Sequence, residues 1–212
     1  MQLQNELNEL KRMLLKMADI VQNNIKEAIE AYQLDKEVTI NDRVVNQYEL
    51  LVNEICVDIL IKERPYARDL REVSAILKLV SDIERIGDHA EDIVKYAGKL
   101  KGNTEKRPDR IDEMLEITLE MLQKSILSFI QLDTDMAEEV IKMDDKIDEI
   151  YSEIIKSLTK RKNISESALT FSIYTTIIVK YIERIADHVV NISEWVVFIV
   201  SGFYKDYLKK EL

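Results

Sequence analysis

The chain is 212 residues long and carries 30 Lys+Arg against 40 Asp+Glu, a net charge of −10 that argues against the basic face a nucleic-acid binder needs. It has only four glycines and two prolines, where ordinary usage gives about 15 and about 10, which excludes a turn-rich sheet protein. What remains is an all-α chain with few connections, and a 46% hydrophobic share is ample for its core.

Apolar residues recur at helical spacing from about residue 3 to 33: Leu3, Leu7, Leu10, Leu14, Met17, Val21, Ile25, Ala28 and Tyr32. A break is expected at Leu34-Asp35, with Asp35 placed to cap a second helix over about 36–63. Val45, Val52, Cys56 and Ile59 form that helix's seam, and Arg64-Pro65 ends it. A third helix is predicted over about 67–100, with Leu79, Ile83, Ile86, Ala90, Ile93 and Ala97 on its core face. The polar stretch from Lys101 to Pro108 holds a glycine and a proline and reads as a linker. Beyond it, helices are predicted over about 109–131, 134–161 and 166–208, with a turn at Asn163-Ile164-Ser165. No leader is expected, because Glu6, Glu9, Lys11 and Arg12 interrupt the leading leucines. No run of about 18 uninterrupted apolar residues marks a membrane span either. Trp195 to Val200 fits a partner or dimer surface and fits core equally well. The single cysteine, Cys56, reads as a small core residue in a reducing, cytoplasmic setting.

The halves repeat. Ile83-Glu84-Arg85-Ile86-Gly87-Asp88-His89 returns 99 residues later as Ile182-Glu183-Arg184-Ile185-Ala186-Asp187-His188, and these two copies hold the chain's only histidines. Asp42-x-x-Val45-Asn46 resembles Asp144-x-x-Ile147-Asp148 at an offset of 102. Duplication, a central linker and three helices on each side give two tandem three-helix bundles: residues 1–100, a linker at 101–108, and 109–212.

The repeated stretch carries acidic pairs. Glu84 and Asp88 are four apart, within about 40° of each other on one strip, as are Glu183 and Asp187. Asp144 occupies a slot in the seam Val140, Asp144, Ile147, Tyr151, Ile154, Leu158, where an apolar side chain belongs. Asp42 occupies the matching slot in the second helix. A carboxylate there costs several kcal/mol unless something neutralises it. If neighbouring helices bring two pairs together, three or four oxygens converge on a site for a hard cation such as Mg²⁺, Mn²⁺, Ca²⁺ or iron. Arg85 and Arg184 adjoin the motifs, so pattern alone leaves a second reading open, an interhelical salt-bridge network in a plain scaffold. The histidines fall about 100° beyond the aspartates, away from the seam, and are expected on the helix surface. A di-iron enzyme would need Glu-x-x-His, whereas here five residues separate Glu from His. No phosphate loop or nucleophile triad is visible.

Together with Ile59-Leu60-Ile61-Lys62-Glu63-Arg64-Pro65, Asp69-Leu70-Arg71 and Met143-Asp144, these motifs resemble the PhoU family of regulators of bacterial phosphate uptake over essentially the whole chain. The resemblance implies a non-enzymatic negative regulator of phosphate uptake and of the phosphate-starvation response. It implies a homodimer at the inner face of the membrane, with the phosphate ABC transporter's ATPase subunit and a membrane sensor histidine kinase as partners. It also implies metal ions (iron, Mn, Mg or Zn) held at Glu84 and Asp88 with Asp42 and Asn46, and at Glu183 and Asp187 with Asp144 and Asp148. Asp92 and Asn191 are possible extra ligands. Asn46 is neutral where Asp148 is charged, so the first site is expected to be the weaker.

Overall fold

The computed structural model describes residues 2–40, 43–160 and 165–203, and six helices account for most of them, with no strand among the described residues. They are α1 (Gln2–Leu34), α2 (Arg43–Lys62), α3 (Arg68–Lys99), α4 (Ile111–Gln131), α5 (Thr134–Thr159) and α6 (Glu166–Ser201). Helix α3 packs on α1 and α2, and α6 packs on α4 and α5, so each half is a three-helix bundle. The two bundles meet chiefly along α3 and α6, with a smaller contact between α1 and α4.

The seams follow from the periodicity. On α1 every predicted seam residue from Leu7 to Tyr32 is buried, as are Val45, Val52, Cys56 and Ile59 of α2 and all six of the α3 core face. Burial leaves Cys56 a closed apolar residue, its thiol pushed up to about 12. Val196 and Ile199 are core as well, Trp195, Val197 and Phe198 are partly buried, with the rings of Trp195 and Phe198 edge to face at 5.5 Å, and Val200 is exposed.

Three expectations need correction. Helix α2 starts at Arg43 rather than near residue 36, because 36–40 is non-helical and includes the β-branched run Val38-Thr39-Ile40. Asp35 therefore caps nothing. It sits at φ 51, where its carboxylate accepts from Arg107 Nη2 at 3.0 Å and from the Gly102 amide at 3.4 Å. Arg107 also donates to the Tyr32 carbonyl at 2.6 Å, and Asn103 reaches Ser167 at 3.2 Å. The polar linker is thus a strap tying the end of α1 to the start of α6. The predicted turn at 163–164 lies outside the described residues, and α6 ends at Ser201, capped by Gly202 at φ 81, rather than near residue 208.

Side-chain caps set the starts of the last two helices. Asp133 accepts from the Met136 amide at 3.0 Å, and Ser165 accepts from the Ala168 amide at 3.1 Å. Replacing either by Ala is expected to cost about 1 kcal/mol, read by denaturant titration. Because the two caps lie at opposite ends of α5 their costs should add. A shortfall at one site would mean that neighbouring packing, and not the cap, ends that helix.

Candidate metal centre

In the second bundle, Asp144 and Asp148 lie on α5 and Glu183 and Asp187 on α6. Asp144 is partly buried, and its carboxyl is pushed up to about 6, first by burial and then by the charges of Asp148, Asp187 and Glu183. Asp187, although exposed at the surface, is raised too, by partial desolvation and then by Glu183, with Lys180 pulling the other way. Helices α5 and α6 therefore bring the two predicted pairs into one electrostatic field. Lys180 hydrogen-bonds Glu183 on its own helix, and its ammonium lies 5.4 Å from the ring centre of Tyr151 on α5.

The first bundle keeps the same register. Ser81 and Glu49 stand where the repeat puts Lys180 and Tyr151, and the Ser81 hydroxyl donates to Glu49 Oε1 at 2.8 Å. This α2–α3 contact, one turn before Glu84, matches the α5–α6 contact one turn before Glu183. Arg85 reaches along α3 to Asp88 at 3.0 Å and to Glu84 at 3.5 Å. Asn46 is exposed, and Asp42 lies outside the described residues. Glu49 is a carboxylate outside the predicted acidic pairs. It continues the strip 42, 46, 49 at helical spacing, which is the signal that could have found it.

Among the described residues, no group of three or more His, Cys, Asp or Glu is placed to hold a metal ion. The acidic pairs converge as a field, without forming a closed cage. Their donor chemistry fits a hard, oxygen-preferring cation such as Mg²⁺, Mn²⁺ or iron. It fits Zn²⁺, with its taste for His and Cys, least well.

The histidines are not surface residues. His89 is buried, with 6% of its surface exposed, and its ring lies 5.4 Å from that of His188 and 5.3 Å from that of Tyr181, across the α3–α6 interface. Neither ring nitrogen of His89 has a hydrogen-bond partner among the described residues. Burial, then Arg184 and His188, pushes its imidazole down to about 4. The repeat relates these contacts. Asp82 of α3 meets His188 Nδ1 at 2.8 Å and accepts from Asn191 Nδ2 at 3.1 Å. Tyr181, which the repeat equates with Asp82, is raised to about 12 by burial and then by the nearby Asp92 carboxylate. Asp92 and Asn191 thus serve the seam between the bundles. The sequence reading missed this because α3 and α6 each bury a second face, turned away from their own bundle and against each other.

A family model described as PhoU domain matches the chain twice, at residues 14–97 and 111–196. The chain belongs to the PhoU family. A phosphate-specific transport system accessory protein PhoU homolog of Aquifex aeolicus is 38% identical over 164 residues, 74% of each chain. The PhoU accessory protein of Escherichia coli K12 is 31% identical over 205 residues, covering 93% of this chain and 84% of that one. The crystal structure of PhoU from Pseudomonas aeruginosa superposes with a TM-score of 0.85 at 28% identity, covering 94% of this chain and 99% of that one. That of the phosphate transport system regulatory protein PhoU from Streptococcus pneumoniae gives 0.84 at 26%, covering 95% and 98%. Both PhoU matches span a third helix with its motif, so the duplication read from Glu84 to His89 and Glu183 to His188 is a duplication of the whole domain.

Proposed function

We propose that this chain is a non-enzymatic accessory regulator of phosphate-specific transport whose paired acidic motifs bind metal ions. In this reading it is a homodimer at the cytoplasmic face of the membrane. It couples the ATPase subunit of the phosphate ABC transporter to a sensor histidine kinase and holds the starvation response off when phosphate is plentiful. The observation that carries the metal part is the shared field around Asp144, in which the strongest charges acting on a partly buried carboxyl are three more carboxylates. A group so placed is destabilising until a cation neutralises it. The regulatory part is supported by PhoU-domain matches in both bundles and by relatives named as phosphate transport accessory proteins.

Two experiments test the two parts separately. Protein purified without chelator and exposed to Mn²⁺ or Fe²⁺ should carry metal, and Glu183→Ala with Asp187→Ala should remove the larger, second-bundle share. Metal near zero in the parent chain would overturn the metal reading and leave the scaffold alternative, with Arg85–Asp88 and Lys180–Glu183 pairing along their own helices rather than between helices. Deleting the gene should leave phosphate-starvation genes on in phosphate-rich medium. Normal repression there would overturn the regulatory reading whatever the metal content.

A further inference from the structure

Each acidic motif is already held by a cation of its own helix. In the second bundle Lys180 hydrogen-bonds the Glu183 carboxylate from one turn before it. Glu183 is the more enclosed of the two, with 12% of its side chain exposed against 47% for Lys180. Lys180 is also the strongest positive charge acting on Asp187, where it opposes the repulsion from Glu183. One ammonium thus acts on both members of the α6 pair, and it lies 5.4 Å from the ring centre of Tyr151 on the facing helix.

The first bundle meets the same need from another position. There Arg85 lies 3.0 Å from Asp88 and 3.5 Å from Glu84. Arg85 and Lys180 are not repeat equivalents, since position 81, where the repeat puts Lys180, is a serine that donates to Glu49. A positive charge supplied twice, by different residues at different places, is not a relic of the duplication. It answers the cost of holding two like charges one turn apart on a partly desolvated strip. It also occupies the oxygens a metal would use. An oxygen bonded to an ammonium is not open to a metal, and among the described residues no group of three or more His, Cys, Asp or Glu is placed to hold one.

We propose that Lys180 is a tethered stand-in for the metal at the second-bundle site: it neutralises the α6 pair in the metal-free chain, and a metal ion binds there by displacing it. The proposal rests on the metal part of the function above and adds its control. A divalent ion brings twice the charge to the same oxygens, and an ammonium left beside it would be repelled. Lysine suits the exchange, because its charge sits on a flexible four-carbon stem and its side chain is half in solvent. The site therefore binds more weakly than its carboxylates alone would, and it fills and empties with metal supply instead of holding metal permanently.

Titration of the full chain with Mn²⁺, free Mn²⁺ being read by its electron paramagnetic resonance signal, tests this. Glu84→Gln with Asp88→Asn removes the first-bundle pair, so that only the second site is counted. In that background Lys180→Met, which keeps the stem and loses the charge, should bind Mn²⁺ at least about tenfold more tightly. Lys180→Arg, which keeps the charge, should bind no more tightly than Lys180 does. Equal affinity with Lys and with Met at position 180 would overturn the stand-in role while leaving the metal site. No Mn²⁺ uptake with either residue would overturn the metal reading itself. A second readout needs no variant. Acetylation by acetic anhydride, followed residue by residue in a mass spectrometer, should run faster at Lys180 when Mn²⁺ is present and stay unchanged at lysines remote from the motifs. A chain that binds Mn²⁺ with Lys180 equally reactive before and after would overturn the displacement.

Discussion

Replacing Asp144 with Asn is expected to stabilise the metal-free protein at pH 7 by roughly 1–3 kcal/mol. The sign follows from its titration. The carboxyl is pushed from 3.8 to about 6 in the folded chain, so the folded state holds its proton more tightly than the unfolded state does. Stability therefore falls as pH rises from about 4 to about 6, and the whole penalty is present above that. Asn keeps the shape and loses the charge that Asp148, Asp187 and Glu183 repel. Partial exposure to water sets the lower end of the range, because solvent screens part of the repulsion. A cation should cancel the same penalty, so Mn²⁺ should raise the melting temperature of the parent chain and leave that of Asp144→Asn nearly unmoved. Denaturant titrations in chelator, with and without added Mn²⁺, provide the measurement. An Asn variant less stable than the parent in chelator would show that Asp144 sits in a favourable pairing and would remove the electrostatic case for the site.

The second large effect has the opposite sign. His89 is lowered from 6.5 to about 4 by burial, Arg184 and His188, with Asp92 opposing. A histidine that is harder to protonate when folded contributes stability fully above pH 6.5 and loses it as pH falls toward 4. Its share amounts to about 3 kcal/mol. His89→Phe keeps a ring against Tyr181 and His188 and has no proton to take up, so relative to the parent it should gain about that much between pH 6.5 and pH 4. Between pH 4 and 6 the two groups pull in opposite directions. The parent profile should therefore be flatter there than that of either variant, Asp144→Asn falling with acid and His89→Phe rising. Parallel profiles for parent and His89→Phe would mean that the imidazole is hydrated and the α3–α6 seam is open to water.

These effects also mark how far the sequence could be read. The acidic pairs were visible because an amphipathic helix exposes a period. A carboxylate at Asp144 breaks a seam whose other slots are apolar, and that break needs no knowledge of any other helix. Glu49 was less visible because only its hydrogen bond with Ser81 shows which strip of α2 faces α3. The charge on Asp144 has a meaning only with α6 beside it, since two of its three strongest neighbouring charges, Asp187 and Glu183, lie on that helix. Whether Arg85 and Arg184 would cross between helices was likewise open in the pattern, and Arg85 settles along α3 with Asp88.

The amino-acid sequence by itself determined six helices, their division into two repeated bundles, and the core faces of α1, α2, α3 and α5. Those properties depend on residues three and four apart, on sparse Gly and Pro, and on one polar linker, all local along the chain. Only the tertiary structure decided how the bundles meet. A helix that packs in two directions shows a single period for its main seam, and its second face, carrying His89, Asp92, His188 and Asn191, reads as polar surface until α3 and α6 are laid together. The start of α2 was decided in the same way. Asp35 reads as a cap by residue type, but the carboxylate goes to Arg107 and Gly102, 72 and 67 residues on, a pairing of distant residues that no local pattern records.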